Sequence, residues 1–395
     1  MPARKVAIVG GGIGGLAAAL ALQKKGIEVS VYERSPELVE IGAGLNLTPN
    51  ALKAFRYLGV ENEAVRLGFQ AEYQFIRSWR SGREIARQKR VDVAHHFGAN
   101  YLTIHRADLQ MIFARALKEG VLHLGAACTG VGTDGVPAVA HFEGGGEIEA
   151  DVIVGADGIH SAVRASLFGP DAPRYTGCVC WRGLVPVDAL KDHPLARQMT
   201  AWWGPHGHVV HYPVRKGELI NFVAHYDSET WTTESWTQEC DRSELMATYA
   251  RWHPSLQQLF ASSERYYKWA LFDREPLDAW GKGPVTLLGD AAHPMLPYLA
   301  QGAGMATEDG CVLAECLVGI DDAEQALRTY ERLRMPRTRR AQLGSRQRAK
   351  ENHMPSAWGR FKRDLTLAIR SRFASDNTPH QGAWLYEYDV ARIKP

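Results

Sequence analysis

A chain of 395 residues, 45% of them hydrophobic, buries a sizeable core and has room for one large or two interleaved domains. Its formal charge of +2 gives no electrostatic reason to expect nucleic acid or a membrane surface as a partner. Six cysteines without a C-x-x-C pair argue against a disulfide scaffold or a metal site and for a reduced, cytoplasmic setting.

Lys5–Val9 reads as a short buried strand. A glycine cluster follows at 10–15, then a helix over 16–23 that stops near Gly26, then a strand over 27–33 ending on Glu33. Arg4 and Lys5 before an apolar run imitate a signal peptide, but the glycines fit a strand-to-helix turn instead. No other stretch is apolar enough to span a bilayer. The spacing predicts a hairpin over 73–88 turning at Ser81-Gly82, an extended 102–106 and a helix over 108–119. A second buried strand, 151–155, runs into Gly155-Ala-Asp157-Gly158. From about 178 to 268 tryptophans appear (Trp181, Trp202, Trp203, Trp231, Trp236), and strands 208–212 and 219–225 flank a turn at Arg215-Lys-Gly217. A third buried strand, 284–288, ends at Gly289-Asp290, with a helix over 304–317 behind it. Residues 325–350 form a basic helix carrying Arg332, Arg334, Arg337, Arg339, Arg340, Arg346 and Arg348, read as a solvated face.

The predicted fold is α/β: a Rossmann-like domain assembled from 1–72, 100–177 and 270–345, an inserted β-sheet substrate domain from 73–99 and 178–269, and a C-terminal helical extension, 346–395. Gly10, Gly12 and Gly15 have separate tasks: a tight turn, close approach to a pyrophosphate, and helix–strand packing. The helix N-terminus favours phosphate. Glu33, roughly 20 residues on, suits ribose hydroxyls. This fingerprint leaves NAD and FAD open. Asp290, at a strand end among small residues, suits the ribityl chain of a flavin, with an N-cap role as the alternative. Asp157-Gly158 carries the same ambiguity.

Gly10-Gly-Gly-Ile-Gly-Gly15, Gly155-Ala-Asp-Gly-Ile-His-Ser161, Leu288-Gly-Asp-Ala-Ala-His-Pro294 and Gln301-Gly-Ala-Gly-Met-Ala306, in this order, resemble the group A FAD-dependent aromatic hydroxylases. Trp181-Arg-Gly183, Trp202-Trp203, 208–212 and 294–301 are most similar to the salicylate 1-hydroxylase, 3-hydroxybenzoate 6-hydroxylase and 6-hydroxynicotinate 3-monooxygenase branch. The resemblance implies resident FAD, with Gly10, Gly12, Gly15, Glu33 and Arg34 on its ADP half. It places Arg106, Asp157 and Asp290 on the cofactor, and Gly302, Ala303 and Gly304 beside the isoalloxazine. It also implies NADH or NADPH as a transient co-substrate, O2 activated as a flavin C4a-hydroperoxide, a small hydroxylated aromatic acid as substrate, and a homodimer. Salicylate converted to catechol with decarboxylation is the first expectation. The alternatives are hydroxylation of 3-hydroxybenzoate or 6-hydroxynicotinate, or a non-hydroxylating FAD-binding redox sensor or carrier.

Attack on an aromatic ring is helped by deprotonating its phenol, so a base in the pocket is expected. His208 and Tyr212 are four apart in a strand and share a face, opposite Val209 and His211. They are the catalytic candidates. Asn46 stands where hydroxynicotinate enzymes carry histidine, and Pro297 where 3-hydroxybenzoate 6-hydroxylases tend to carry glutamine. Arg182 or Arg83 could hold a substrate carboxylate. Trp202 and Trp203 could wall the pocket or fill the sheet core.

Overall fold

The computed structural model describes residues 4–38, 44–133, 135, 137–190, 193, 195–229, 231, 240–373 and 382–395. A six-stranded sheet has the order Gly281–Lys282, Val285–Leu287, Val152–Gly155, Lys5–Val9, Glu28–Glu33, Leu122–Leu124, parallel except at the first pair. Its central strands are continuous apolar runs because helices cover both faces. The packing helices are Ile13–Lys24 and Gly302–Gly319, rich in alanine and glycine, so their backbones come close. A Cβ on Gly310 would collide with the backbone of Ala18.

The register brings the motifs together. Val9 pairs with Gly155, and Gly155 pairs with Leu287. Gly10, Ala156 and Leu288 therefore leave the sheet side by side at its carboxyl edge, where open α/β sheets bind ligands.

A seven-stranded sheet runs Tyr267–Asp273, Arg174–Pro186, Leu219–Asp227, Gly207–Val214, Met199–Gly204, Tyr73–Ser78, Glu84–Lys89. One face packs Trp181, Trp202, Val209 and Phe222 against helices Arg242–Thr248 and Pro254–Ala261. The other face looks onto the cavity described below. The period-2 alternation separates the paired tryptophans: Trp202 stacks on His253 in the core, while Trp203 lines the cavity. Trp236 lies outside the described residues.

The basic stretch keeps Arg332, Arg339 and Arg340 on a solvated face but turns other arginines inward. It is the helix Ala323–Asn352, and Arg334 within it is fully buried. Arg334 Nε lies 2.6 Å from Asp309 Oδ1 and its Nη2 lies 2.8 Å from Glu308 Oε2; Arg337 pairs with Glu308 as well. Arg346 reaches Asp273 and Glu275. A 3.6-residue period places Arg334 and Arg337 on the face that meets the helix Gly302–Gly319, a match that a charge count does not register. Helix Ala357–Phe373 then lies against strand Glu84–Lys89, where Ser371 Oγ bridges the backbone of Arg87. Residues 382–395 return to the first domain, where Lys53 Nζ donates to Tyr386 O at 2.9 Å and the Trp384 ring sits under Arg340. Among the described residues no helix is long and apolar enough to cross a membrane.

Candidate active site

One cavity of about 1450 Å³ runs from the carboxyl edge of the parallel sheet to the face of the large sheet. Gly12, Gly14, Arg106, Ala156, Gly158, Asp290, Gly302 and Ala303 line the first end. Asn46, Arg182, Trp203, His208, Tyr212, His225, Pro297 and Tyr298 line the second.

The glycines divide their tasks as the fingerprint requires. Gly10 has φ +108°, closed to L side chains, and a Cβ there would strike Ala156 O. Gly15 packs so tightly that a Cβ would strike Gly10 O. Gly12 has open space where its Cβ would be, directly at the N-terminus of helix Ile13–Lys24. An open helix N-terminus at the cavity wall is a cradle for a pyrophosphate. Glu33 is partly committed to the protein: Gly11 N donates to its Oε2 at 2.6 Å and Ser35 N to its Oε1 at 2.9 Å. Each oxygen keeps a lone pair for a ribose hydroxyl. Arg34 is exposed and outside the cavity lining.

Asp157 and Asp290, alike in sequence, are held differently. Asp157 accepts from Ser161 Oγ at 2.5 Å and Val163 N at 3.2 Å, so its carboxylate caps helix Ala162–Phe168 and its neighbours Ala156 and Gly158 face the cavity. Asp290 follows the turn at Gly289, whose φ is +62°, and its side chain opens into the cavity, where it is exposed to solvent. Desolvation by the protein walls around it raises the Asp290 carboxyl pKa, with His293 and Arg106 opposing that. A carboxylate held in a protein-walled space is a strong acceptor for hydroxyl donors. Gly302 has open space at its Cβ position, while Gly304 packs on Ala51.

At the second end, His208, Val210 and Tyr212 share the cavity face and Val209 faces the core, as the alternation predicts. Tyr212 comes close to the cofactor end because Gly44 lacks a Cβ, which would lie 2.5 Å from its ring; Gly44 N donates to Asn221 Oδ1 at 2.8 Å. Burial pushes the Tyr212 hydroxyl up to about 12, with Arg182 opposing. Burial also holds His208 well below the usual 6.5, and His225 and His353 add to the effect, so its imidazole is neutral at pH 7. Arg182 lines the cavity with its guanidinium 4.3 Å from the Trp269 ring centroid. Asn46 Oδ1 is buried with no hydrogen-bond partner among the described residues. Arg83 is exposed in the hairpin turn and outside the cavity lining, so of the two arginines Arg182 is the carboxylate candidate.

Four residues of this site escaped the sequence reading. His225 stacks flat on His208, with centroids 4.4 Å apart and planes 4° apart. Its signal was present: a tight turn at Arg215–Gly217 sets His208 opposite His225. Around this pair stand Asp227, two residues beyond His225 on the same strand, and Tyr298 and His353, whose elements have no fixed spacing to it.

The chain matches the family described as FAD binding domain over residues 3–344. It is 38% identical over 391 residues to a 3-amino-4-hydroxybenzoate 2-monooxygenase of Streptomyces platensis, covering 98% of this chain and 97% of that one. It is 36% identical over 343 residues to the 6-hydroxynicotinate 3-monooxygenase of Bordetella bronchiseptica, covering 86% and 89%. A solved salicylate hydroxylase in complex with its substrate is similar with a TM-score of 0.84 at 27% identity, covering 99% and 98% of the two chains. With the three glycine-bracketed motifs gathered on one cavity wall, these likenesses place the chain in the family of group A FAD-dependent aromatic hydroxylases, monooxygenases that bind FAD.

Proposed function

We propose that the protein hydroxylates the ring of a small hydroxylated aromatic acid with NADH or NADPH and O2, the FAD lying along the first half of the cavity. The supporting observation is the continuity of that cavity from Gly12 and Asp290 to Arg182, His208 and Tyr212. Asp290 would accept from ribityl hydroxyls, and the open N-terminus at Gly12 would hold the pyrophosphate. Bound FAD supplies the electron transfer and oxygen activation that no side chain provides. Arg182 pairs with the substrate carboxylate, and Tyr212 and His208 meet the ring hydroxyl, His208 as proton acceptor. FAD and substrate filling the cavity would displace water from the reacting centre.

The relative at 38% identity is named for attack at a ring carbon that bears no carboxylate, whereas the 6-hydroxynicotinate enzyme at 36% is named for position 3, which carries the carboxylate, as the attacked carbon of salicylate does in the enzyme similar at 27%. The higher identity and fuller coverage of the first favour ring hydroxylation without loss of the carboxylate. Salicylate converted to catechol is the second reading, supported by Asn46 and Pro297, which depart from the hydroxynicotinate and 3-hydroxybenzoate patterns. We carry the homodimer forward as well. Trp358, Phe361, Leu365 and Ile369 form an exposed apolar row for it, and sedimentation at micromolar concentration checks it.

The test is anaerobic reduction of the oxidised holoenzyme by NADH or NADPH, alone and with 3-amino-4-hydroxybenzoate, 6-hydroxynicotinate, 3-hydroxybenzoate or salicylate. At least one acid should speed flavin bleaching. If none does, the hydroxylase reading fails and a redox carrier takes its place. Arg182→Met should raise the Kd for the effective acid by roughly 10–100-fold, the worth of a charge-assisted hydrogen bond, with normal FAD content. His208→Ala should slow hydroxylation and divert reducing equivalents to peroxide, measured as product formed per NADH consumed. Because His208 stays neutral, the kcat/KM profile should show no histidine inflection between about pH 6 and 8.

A further inference from the structure

A line of three side chains joins the far wall of the cavity to the surface. His208 Nδ1 lies 2.7 Å from His353 Nε2, and His353 Nδ1 lies 2.5 Å from Asp227 Oδ1. Each contact uses a different nitrogen of His353, so the rings stand in series. His208 is 3% exposed and lines the cavity, His353 is 7% exposed, and the Asp227 side chain is 40% exposed. The three come from strand Gly207–Val214, the residue capping helix Ala323–Asn352, and the end of strand Leu219–Asp227. His225 stacked on His208 and Tyr298 packed against both His208 and His353 fix the ring planes. The Tyr298 hydroxyl donates to Cys178 Sγ.

We infer that His353 and Asp227 are positioning residues that complete a proton path from the substrate hydroxyl, through His208, to solvent. The inference rests on the reading of His208 as the group that meets that hydroxyl. The direction follows from the acceptor at the outer end. A carboxylate only accepts, so His353 carries its proton on Nδ1 and accepts on Nε2. His208 must then donate from Nδ1, which leaves the lone pair of Nε2 for the cavity. In the transfer the substrate O–H bond breaks as His208 Nε2–H forms. His208 Nδ1–H passes to His353 Nε2, His353 Nδ1–H passes to Asp227 Oδ1, and Asp227 releases a proton to water. Each ring gains one proton and loses one, so neither buried imidazole holds a lasting charge. Reprotonation of the product hydroxyl by the reverse route restores both tautomers. The path lets the hydroxyl ionise without a water molecule at the ring as its proton acceptor.

Two measurements on the holoenzyme test this. The first uses ¹⁵N-histidine spectra of the oxidised, substrate-free protein. His208 and His353 should both be protonated on Nδ1, and Asp227→Ala, a change at the surface end, should shift both rings away from that tautomer. Spectra with either ring protonated on Nε2 in the wild type, or unmoved by Asp227→Ala, overturn the path. The second follows proton release to a pH indicator in weak buffer on mixing with the four acids named above. Asp227→Ala and His353→Gln should slow release by roughly tenfold or more, with FAD content and the Kd from flavin absorbance unchanged. Wild-type release rates in both variants overturn the path while leaving the hydroxylase reading intact. Failure of every acid to speed wild-type flavin reduction removes the hydroxylase reading instead, and the histidine spectra then decide the path alone.

Discussion

Arg334→Met is expected to lower folding stability by about 3–5 kcal/mol, the usual result of removing one partner from a buried ion pair. Arg334, Glu308 and Asp309 are all at 0% side-chain exposure. Methionine matches the arginine stem but leaves both carboxylates in place. Glu308 retains Arg337 and Asn50 Nδ2, and Asp309 retains His293 Nε2 at 2.5 Å. Burial on its own would raise both carboxyl groups; their cationic neighbours, Arg334 among them, hold them below the usual range instead. The sign for pH follows. Carboxylates with depressed folded-state pKa values contribute stability that is fully present above about pH 4.5 and is lost as pH falls through the lowered values. The variant should therefore be less stable at pH 7 and lose less on acidification. Asp309 Oδ2 also accepts from Gly289 N at 3.2 Å, so the turn carrying Asp290 should loosen too. Urea unfolding at pH 7 and pH 4 checks both statements, and a wild-type midpoint at pH 7 would refute the first.

Asp290→Ala should purify largely without FAD. In the proposed complex the Asp290 carboxylate accepts from ribityl hydroxyls. A charge-assisted hydrogen bond is worth about 1.5–3 kcal/mol, so losing two weakens binding by roughly 10²–10⁴-fold. The fold should survive, because among the described residues no hydrogen bond or ion pair of the Asp290 side chain holds the surrounding loop, which stands on Gly289 and Asp309. The ratio of flavin to protein absorbance after gel filtration measures the outcome. A ratio equal to the wild type would remove Asp290 from its assigned role.

Much of this site was legible because its parts are local. Gly10, Gly12 and Gly15 are set by one turn, and backbone sterics there admit only glycine at Gly10 and Gly15. Strand alternation put His208 and Tyr212 on one face and split Trp202 from Trp203. Asp157 and Asp290 were not separable in this way. Both follow a strand and a glycine, yet one carboxylate turns back to cap a helix and the other opens to the cavity. Of the arginines in the 325–350 stretch, Arg332, Arg339 and Arg340 are exposed as expected, whereas Arg334 and Arg337 were misread as solvated because their partners, Glu308 and Asp309, lie on another helix.

The sequence by itself determined a dinucleotide fingerprint and the order of the segments around it, since turns, helix starts and strand periods depend on neighbours in the chain, and the family resemblance of those motifs added FAD. It also pointed to the insertion between the second and third motifs for the substrate pocket proposed above. Only the tertiary structure decided which aspartate faces the cavity and which arginine is core. It alone brought His353, at the end of a helix, between His208 and Asp227 of two strands. Those outcomes depend on packing between elements far apart in the chain, where side-chain chemistry specifies what a group can bond and only the fold specifies what it meets.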